Sequence, residues 1–138
     1  MTKDELKKKL RSAYALQKLL EAEYMQLQNM RDNANKITQT YSLAPGGAGS
    51  GQRIENTVIK IADLENSIRE DIEKLVSAIA EVRQLIACID DPLLWAVLYR
   101  RYLCYQKWEH IAADLNYSWR RVHQLHNKAL NVILIKNK

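Results

Sequence analysis

Between Ser118 and Lys128 the chain reads SWRRVHQLHNK, and its polar side chains are of the types that read nucleic acid. Arg120 and Arg121 each carry a planar guanidinium suited to guanine O6 and N7, and Gln124 carries a carboxamide suited to adenine N6 and N7. His123 lies on the same turn, with Trp119 before it and Asn127 and Lys128 one turn beyond. From Trp119 to the C-terminus the charged residues are Arg120, Arg121, Lys128, Lys136 and Lys138, with no acid among them. A helix face of one sign suits a polyanion, because a merely solvated helix usually mixes signs.

Such side chains must be held by a scaffold, and the residues before them supply one. Trp108 to Leu130 reads as two short amphipathic helices joined at Asn116-Tyr117-Ser118, the spacing of a helix-turn-helix. Ala112 is small enough for a tight helix-helix corner. Asn116 falls where the backbone must turn left-handed, a conformation that Asn tolerates better than any residue except Gly. Ser118 is placed to cap the second helix by accepting from its orphan amides. Ile111 and Leu115 then face Val122, Leu125, Ala129 and Leu130 across a small core. In a helix-turn-helix the N-terminal part of the second helix meets base edges in the major groove, which assigns Arg120, Arg121, His123 and Gln124 to bases and Asn127 and Lys128 to the backbone. The amides after Ser118 can meet a phosphate. For Trp119 two placements are open: packing on sugar and phosphate, or burial in the corner.

A third helix is expected from Pro92 to about Leu103. Asp91 caps it and Pro92 occupies its first turn. Leu94, Trp95, Leu98 and Tyr102 lie on or near one face, to pack beneath the two reading helices. Arg100 and Arg101 either reach phosphates or only solvate this helix.

The N-terminal part has a different pattern. Thr2 and Glu5 stand in capping-box spacing, and Leu6, Leu10, Ala13, Leu20, Tyr24 and Leu27 follow at alternating four and three, interrupted at Gln17 and Arg31. From Tyr41 to Arg53 a cluster of Pro45, Gly46, Gly47, Gly49 and Gly51 reads as a flexible loop. Then Ile54, Val58, Ile61, Ile68, Ile72, Leu75, Ile79, Val82, Ile86 and Ile89 keep a seven-residue repeat broken only at Glu65. A helix of that length would extend about 50 Å and must bury its seam. Helix one folded back antiparallel is the nearest cover and a second protomer the next. Leu16, Leu19, Leu64 and Val76 widen the stripes toward a dimer or larger bundle. Gln17 and Glu65 are either register-setting polar residues or solvent-facing irregularities.

Composition agrees. The 138 residues include no Phe, and the only Gly residues are the four of the loop, so almost no strand is expected. The net charge of +5 divides as +3 over residues 1–40, −3 over 41–90 and +5 over 91–138, so the positive field is strongest on the reading segment. Cys88 and Cys104 lack metal-ligand spacing and read as reduced thiols. No stretch is long and apolar enough to span a bilayer, and MTKDELKKKL is no secretory signal, so a cytoplasmic protein without membrane contact is expected. His123 and His126 lie three apart and could share a face, but no Cys or acid converges with them and no metal or other cofactor is expected. No nucleophile with a base at motif spacing, phosphate-cradling glycine loop or carboxylate pair suggests an enzyme.

Taken together, the pattern predicts an all-α chain. Residues 1–89 form a long antiparallel coiled-coil hairpin, with a glycine-rich loop at about 41–53, that serves oligomerisation. Residues 90–138 form a three-helix DNA-binding unit.

The residues also carry a resemblance. Arg101-Tyr102, Trp108-Glu109-x-Ile111-Ala112, Leu115-x-Tyr117-Ser118 and Val122-x-x-Leu125-x-x-x-Ala129-Leu130 resemble the promoter-reading C-terminal domain of bacterial sigma factors over the last third of the chain. With the N-terminal helices and glycine loop included, the whole is similar to small phage and prophage transcriptional regulators of the ArpU and RinA kind. Sigma factors usually have Gly where Asn116 stands and charged residues where Trp119 begins the reading helix, so no base contacts carry over. The resemblance implies a sequence-specific regulator of phage or prophage late genes in a bacterial host cytoplasm. Its implied partners are duplex DNA, RNA polymerase as a further candidate, and copies of itself as a homodimer or higher oligomer. The competing readings are a viral DNA-packaging recognition subunit of the small-terminase type and a module that binds RNA polymerase alone.

Overall fold

The computed structural model describes residues 1–43 and 50–138, with side chains at 1–39 and 51–138. The described elements are helices α1 (Lys3–Leu43), α2 (Ser50–Ala87), α3 (Pro92–Tyr102), α4 (Trp108–Leu115) and α5 (Trp119–Lys136). No strand occurs among the described residues. The expected all-α class is what forms.

The expected loop at 41–53 is shorter than its composition suggests. Helix α1 continues to Leu43 and α2 already begins at Ser50, taking Gly51 into its first turn. Gly costs most in a helix interior, whereas a first-turn amide has no intrahelical partner to lose. Pro45, Gly46, Gly47 and Gly49 lie outside the described residues.

The chain packs as two compact units: Met1–Leu16 together with Leu75–Lys138, and Gln17–Lys74. Both long helices therefore contribute to each unit.

In the first unit, local signals set the helix ends. Thr2 and Glu5 exchange hydrogen bonds, the Glu5 amide donating to Thr2 Oγ1 at 3.2 Å and the Thr2 amide to Glu5 Oε2 at 3.1 Å. Asp91 Oδ1 accepts from the Leu93 amide at 2.9 Å, with Pro92 in the first turn of α3. Asn116 closes α4 in the left-handed region at φ 58° and ψ 39°. The Tyr117 amide reaches back to the Ala112 carbonyl at 3.0 Å, which satisfies a carbonyl the helix end would leave orphaned. Ser118 Oγ accepts from the Arg121 amide at 3.1 Å and starts α5.

These ends aim three apolar faces at one another. Leu94, Val97, Leu98 and Tyr102 of α3, Ile111 and Ala112 of α4, and Val122, Leu125, Ala129, Leu130 and Ile133 of α5 are buried in one core. The same core takes in Leu6, Leu10 and Ala13 of α1, Ala78, Val82 and Ile86 of α2, and Ile89 beyond it. Each large side chain buried here contributes roughly 1.5–3 kcal/mol. Trp95, expected with the buried face of α3, instead stays 39% exposed and stacks on Tyr99 at 4.6 Å between ring centroids. At the far end of α5, Lys136 Nζ donates to the Cys88 carbonyl at 2.6 Å and lies 3.0 Å from Asp90, tying that end to the terminus of α2.

In the second unit, Leu20, Leu27 and Ile68 are buried. Arg31 Nη2 pairs with Glu65 Oε1 at 3.1 Å, and Ser67 Oγ donates to Glu23 Oε2 at 3.4 Å. Of the three polar interruptions of the heptad pattern, Arg31 and Glu65 thus meet each other, while Gln17 is half-buried apart from them. Several expected seam residues are exposed: Tyr24 at 52%, Val58 at 57% and Ile72 at 38%. A single partner helix covers a narrow stripe, and here the row of Ile68 goes inside while that of Val58 and Ile72 does not.

Asn116 gives a direct test of how the first unit is held. Asn116→Gly should keep the urea-unfolding free energy within a few tenths of a kcal/mol of the parent, since Gly pays no steric cost there. Asn116→Val should lose roughly 1–2 kcal/mol, the cost of forcing a β-branched residue left-handed.

Candidate nucleic-acid interface

Helix α5 has two faces. Its buried residues, Val122, Leu125, His126, Ala129, Leu130 and Ile133, repeat at three and four and form the stripe applied to the core. Opposite them Arg120, Gln124, Asn127 and Lys128 recur at helical spacing and are exposed, with Arg121 beside them. Among the described residues, none of these five side chains has a hydrogen-bond or ion-pair partner. Asn131 continues the same exposed row one turn further and was not among the residues singled out from sequence. Its signal was there, at i+11 from Arg120, but a lone Asn carries little chemistry by itself. Ser118 is exposed as well, and its hydroxyl is engaged with the Arg121 amide.

His123 differs from its neighbours. It is half-buried, its ring centroid 4.4 Å from that of Trp108 and 3.9 Å from that of Trp119, and its Nε2 is buried without a hydrogen-bond partner. Of the two placements open to Trp119, corner burial is not adopted. The indole remains 56% exposed, resting on His123 at the start of α5. Burial, followed by the charge of Arg101, holds the His123 pKa below the ordinary histidine range. The ring lies tilted between the two indoles, at 42° to Trp108 and 47° to Trp119.

Arg100 and Arg101 are both engaged inside the unit. Arg100 Nη1 lies 2.9 Å from Asp114 Oδ2 and 3.4 Å from Gln106 Oε1. Arg101 Nη1 donates to the Gln106 carbonyl at 3.0 Å, and its guanidinium carbon sits 4.5 Å from the Trp108 ring centroid. The two side chains thereby brace the α3–α4 connection, where Tyr105 is left-handed at φ 58°. A bulky residue is costly in that region, so the turn persists because its surroundings determine it. Nothing in the local sequence signals that turn. Arg100 and Asp114 are fourteen positions apart, which no helical periodicity relates.

Beneath Trp108 lies a buried polar pair. His126 Nε2 and Tyr102 Oη share a hydrogen bond of 2.7 Å, and His126 is only 5% exposed. His126 and His123 are three apart as expected, but one faces Tyr102 in the core and the other the two indoles. Burial lowers the His126 pKa to about 3, with Lys7, His123, Arg101 and Lys3 acting in the same direction. Burial pushes the Tyr102 hydroxyl up. Both groups are therefore neutral near pH 7, and each satisfies the other.

The depressed His126 value has a pH consequence. An unfolded histidine titrates near 6.5 and this one near 3, so between those values the unfolded chain binds the extra proton. The contribution is full above about pH 6.5 and falls as the pH drops toward 3, by at most about 1.4 kcal/mol per pH unit. In urea titrations between pH 7.5 and 4.5, His126→Gln should lose less stability than the parent, because glutamine does not titrate. Parallel curves would show that His126 is not the group responsible.

Compared with known proteins, the chain matches no family model, no curated protein and no solved structure.

Proposed function

We propose that the chain is a sequence-specific DNA-binding regulator of phage or prophage genes. Its reading unit is a sigma-like helix-turn-helix formed by α4 and α5, carried on a coiled-coil hairpin formed by α1 and α2. The observation that carries this reading is the bare face of α5, where Arg120, Arg121, Gln124, Asn127 and Lys128 are exposed and lack intramolecular partners. Three other basic residues of the unit are engaged instead: Arg100 with Asp114, Arg101 with Trp108 and the Gln106 carbonyl, Lys136 with Asp90. Side chains that keep their donors free on one face of a rigid helix are preorganised for an external acceptor.

In this mechanism α5 lies in the major groove with its first turns nearest the bases. Arg120, Arg121 and Gln124 supply the base-edge contacts. Asn127 and Lys128 face the phosphates, joined by the amides at the α5 N-terminus beside Ser118. Trp119, supported by His123 and Trp108, offers its indole to a sugar. Arg100 and Arg101 serve as braces for the reading unit. Two such units joined through the long helices would read two half-sites and gain the affinity a single small unit lacks. The host cytoplasm is the matching compartment, and RNA polymerase is the natural second partner of a promoter-bound regulator.

Gel-shift titrations against phage promoter fragments at several salt concentrations test the proposal. The parent should show sequence preference and a steep salt dependence. Arg120→Ala combined with Arg121→Ala should abolish the preference, each lost bidentate contact being worth roughly 1–3 kcal/mol. Lys128→Ala should weaken binding to all sequences and lower the salt slope by about one. Binding that is absent, or unchanged by the paired substitution, overturns the base-reading role. A ring of many subunits in native mass spectrometry would move the chain to the DNA-packaging class.

A further inference from the structure

We infer that the chain pairs with a second copy of itself through the outward stripe of α2, the two helices antiparallel and related by a two-fold axis midway between Glu65 and Arg69. The inference deepens the regulator reading and rests on it only for the purpose of the dimer.

The stripe consists of Val58, Ala62, Glu65, Arg69 and Ile72, successive at four, three, four and three, so they form one row about 21 Å long on the helix. Val58 is 57% and Ile72 38% exposed, and the Glu65 side chain keeps 39% of its surface open while holding Arg31. Tyr24, 52% exposed, lies one heptad from Arg31 on α1, as Ile72 does from Glu65 on α2. The Arg31–Glu65 pair therefore places Tyr24 and Ile72 on one edge, which broadens the apolar ground.

What selects a second copy as the occupant is charge complementarity within this one stripe. With an antiparallel partner, Glu65 faces the partner's Arg69 and Arg69 the partner's Glu65. Ala62 then faces the partner's Ile72, a small side chain against a large one, on both sides of the axis. A parallel pair in register would set Glu65 against the partner's Glu65 and Arg69 against the partner's Arg69, which repel. Arg69 is exposed, and its side-chain hydrogen bond, 3.3 Å to Asn66 Oδ1, is local, so it is available to a partner.

The full-length chain without DNA is the material for the test, examined by sedimentation equilibrium. The parent should be a dimer. Arg69→Glu alone and Glu65→Arg alone should each raise the dimer dissociation constant by at least about ten-fold, because each sets two like-charged pairs across the axis. An equimolar mixture of the two variants should associate again, since their opposite charges now match, with helical circular dichroism as the folding control. In a background with Cys88→Ser and Cys104→Ser, mild oxidation should join an Ala62→Cys chain to an Ile72→Cys chain. A monomeric parent, no rescue in the mixture, or crosslinking of Ala62→Cys chains to each other would overturn the inference. Any of these leaves the DNA titrations with Arg120 and Arg121 to stand or fall separately.

Discussion

Burial of one stripe of α5 is the interaction on which the first unit depends. Val122, Leu125, Ala129, Leu130 and Ile133 are drawn inward together with Leu94, Val97 and Leu98 of α3 and Ile111 of α4. Because these positions repeat at three and four, orienting them inward leaves Arg120, Gln124, Asn127 and Lys128 no choice but solvent. The same hydrophobic term that stabilises the core thus produces the basic face. The turn at Asn116 makes this geometry reachable, and the cap at Ser118 sets where the helix begins.

Within that apolar setting the unit keeps a column of rings running from Tyr102 through His126, Trp108 and His123 to Trp119. Its inner end is a satisfied polar pair and its outer end an exposed indole. The rings meet tilted or edge-on, and burial disfavours the charged form of both histidines. Arg101 closes the column from the side over Trp108 while holding the Gln106 carbonyl. A residue type usually read as a phosphate contact here supports the turn that precedes α4.

The second unit shows what a heptad repeat alone leaves undecided. Two rows of apolar residues run along α2, and burial of both requires more cover than one facing helix provides. Ile68 goes inside and Val58 and Ile72 stay out. The ion pair of Arg31 with Glu65, each more than a third exposed, contributes on the order of 1 kcal/mol or less, so its importance lies in register rather than stability.

The sequence by itself determined the helical class, the ends of most helices and the exposed basic row, because each depends on residues within one or two turns. Thr2 with Glu5, Asp91 with Pro92, Asn116 and Ser118 act through backbone groups at most four positions away, so their spacing is legible without a fold. Tertiary structure alone decided that Arg100 pairs with Asp114, that His126 meets Tyr102 while His123 packs between two indoles, that Tyr105 turns left-handed and that Arg31 finds Glu65. These partners are 14 to 34 positions apart, or depend on such contacts, and their meeting is governed by which faces the core draws together. Periodicity records that a face is apolar. Only packing decides what covers it.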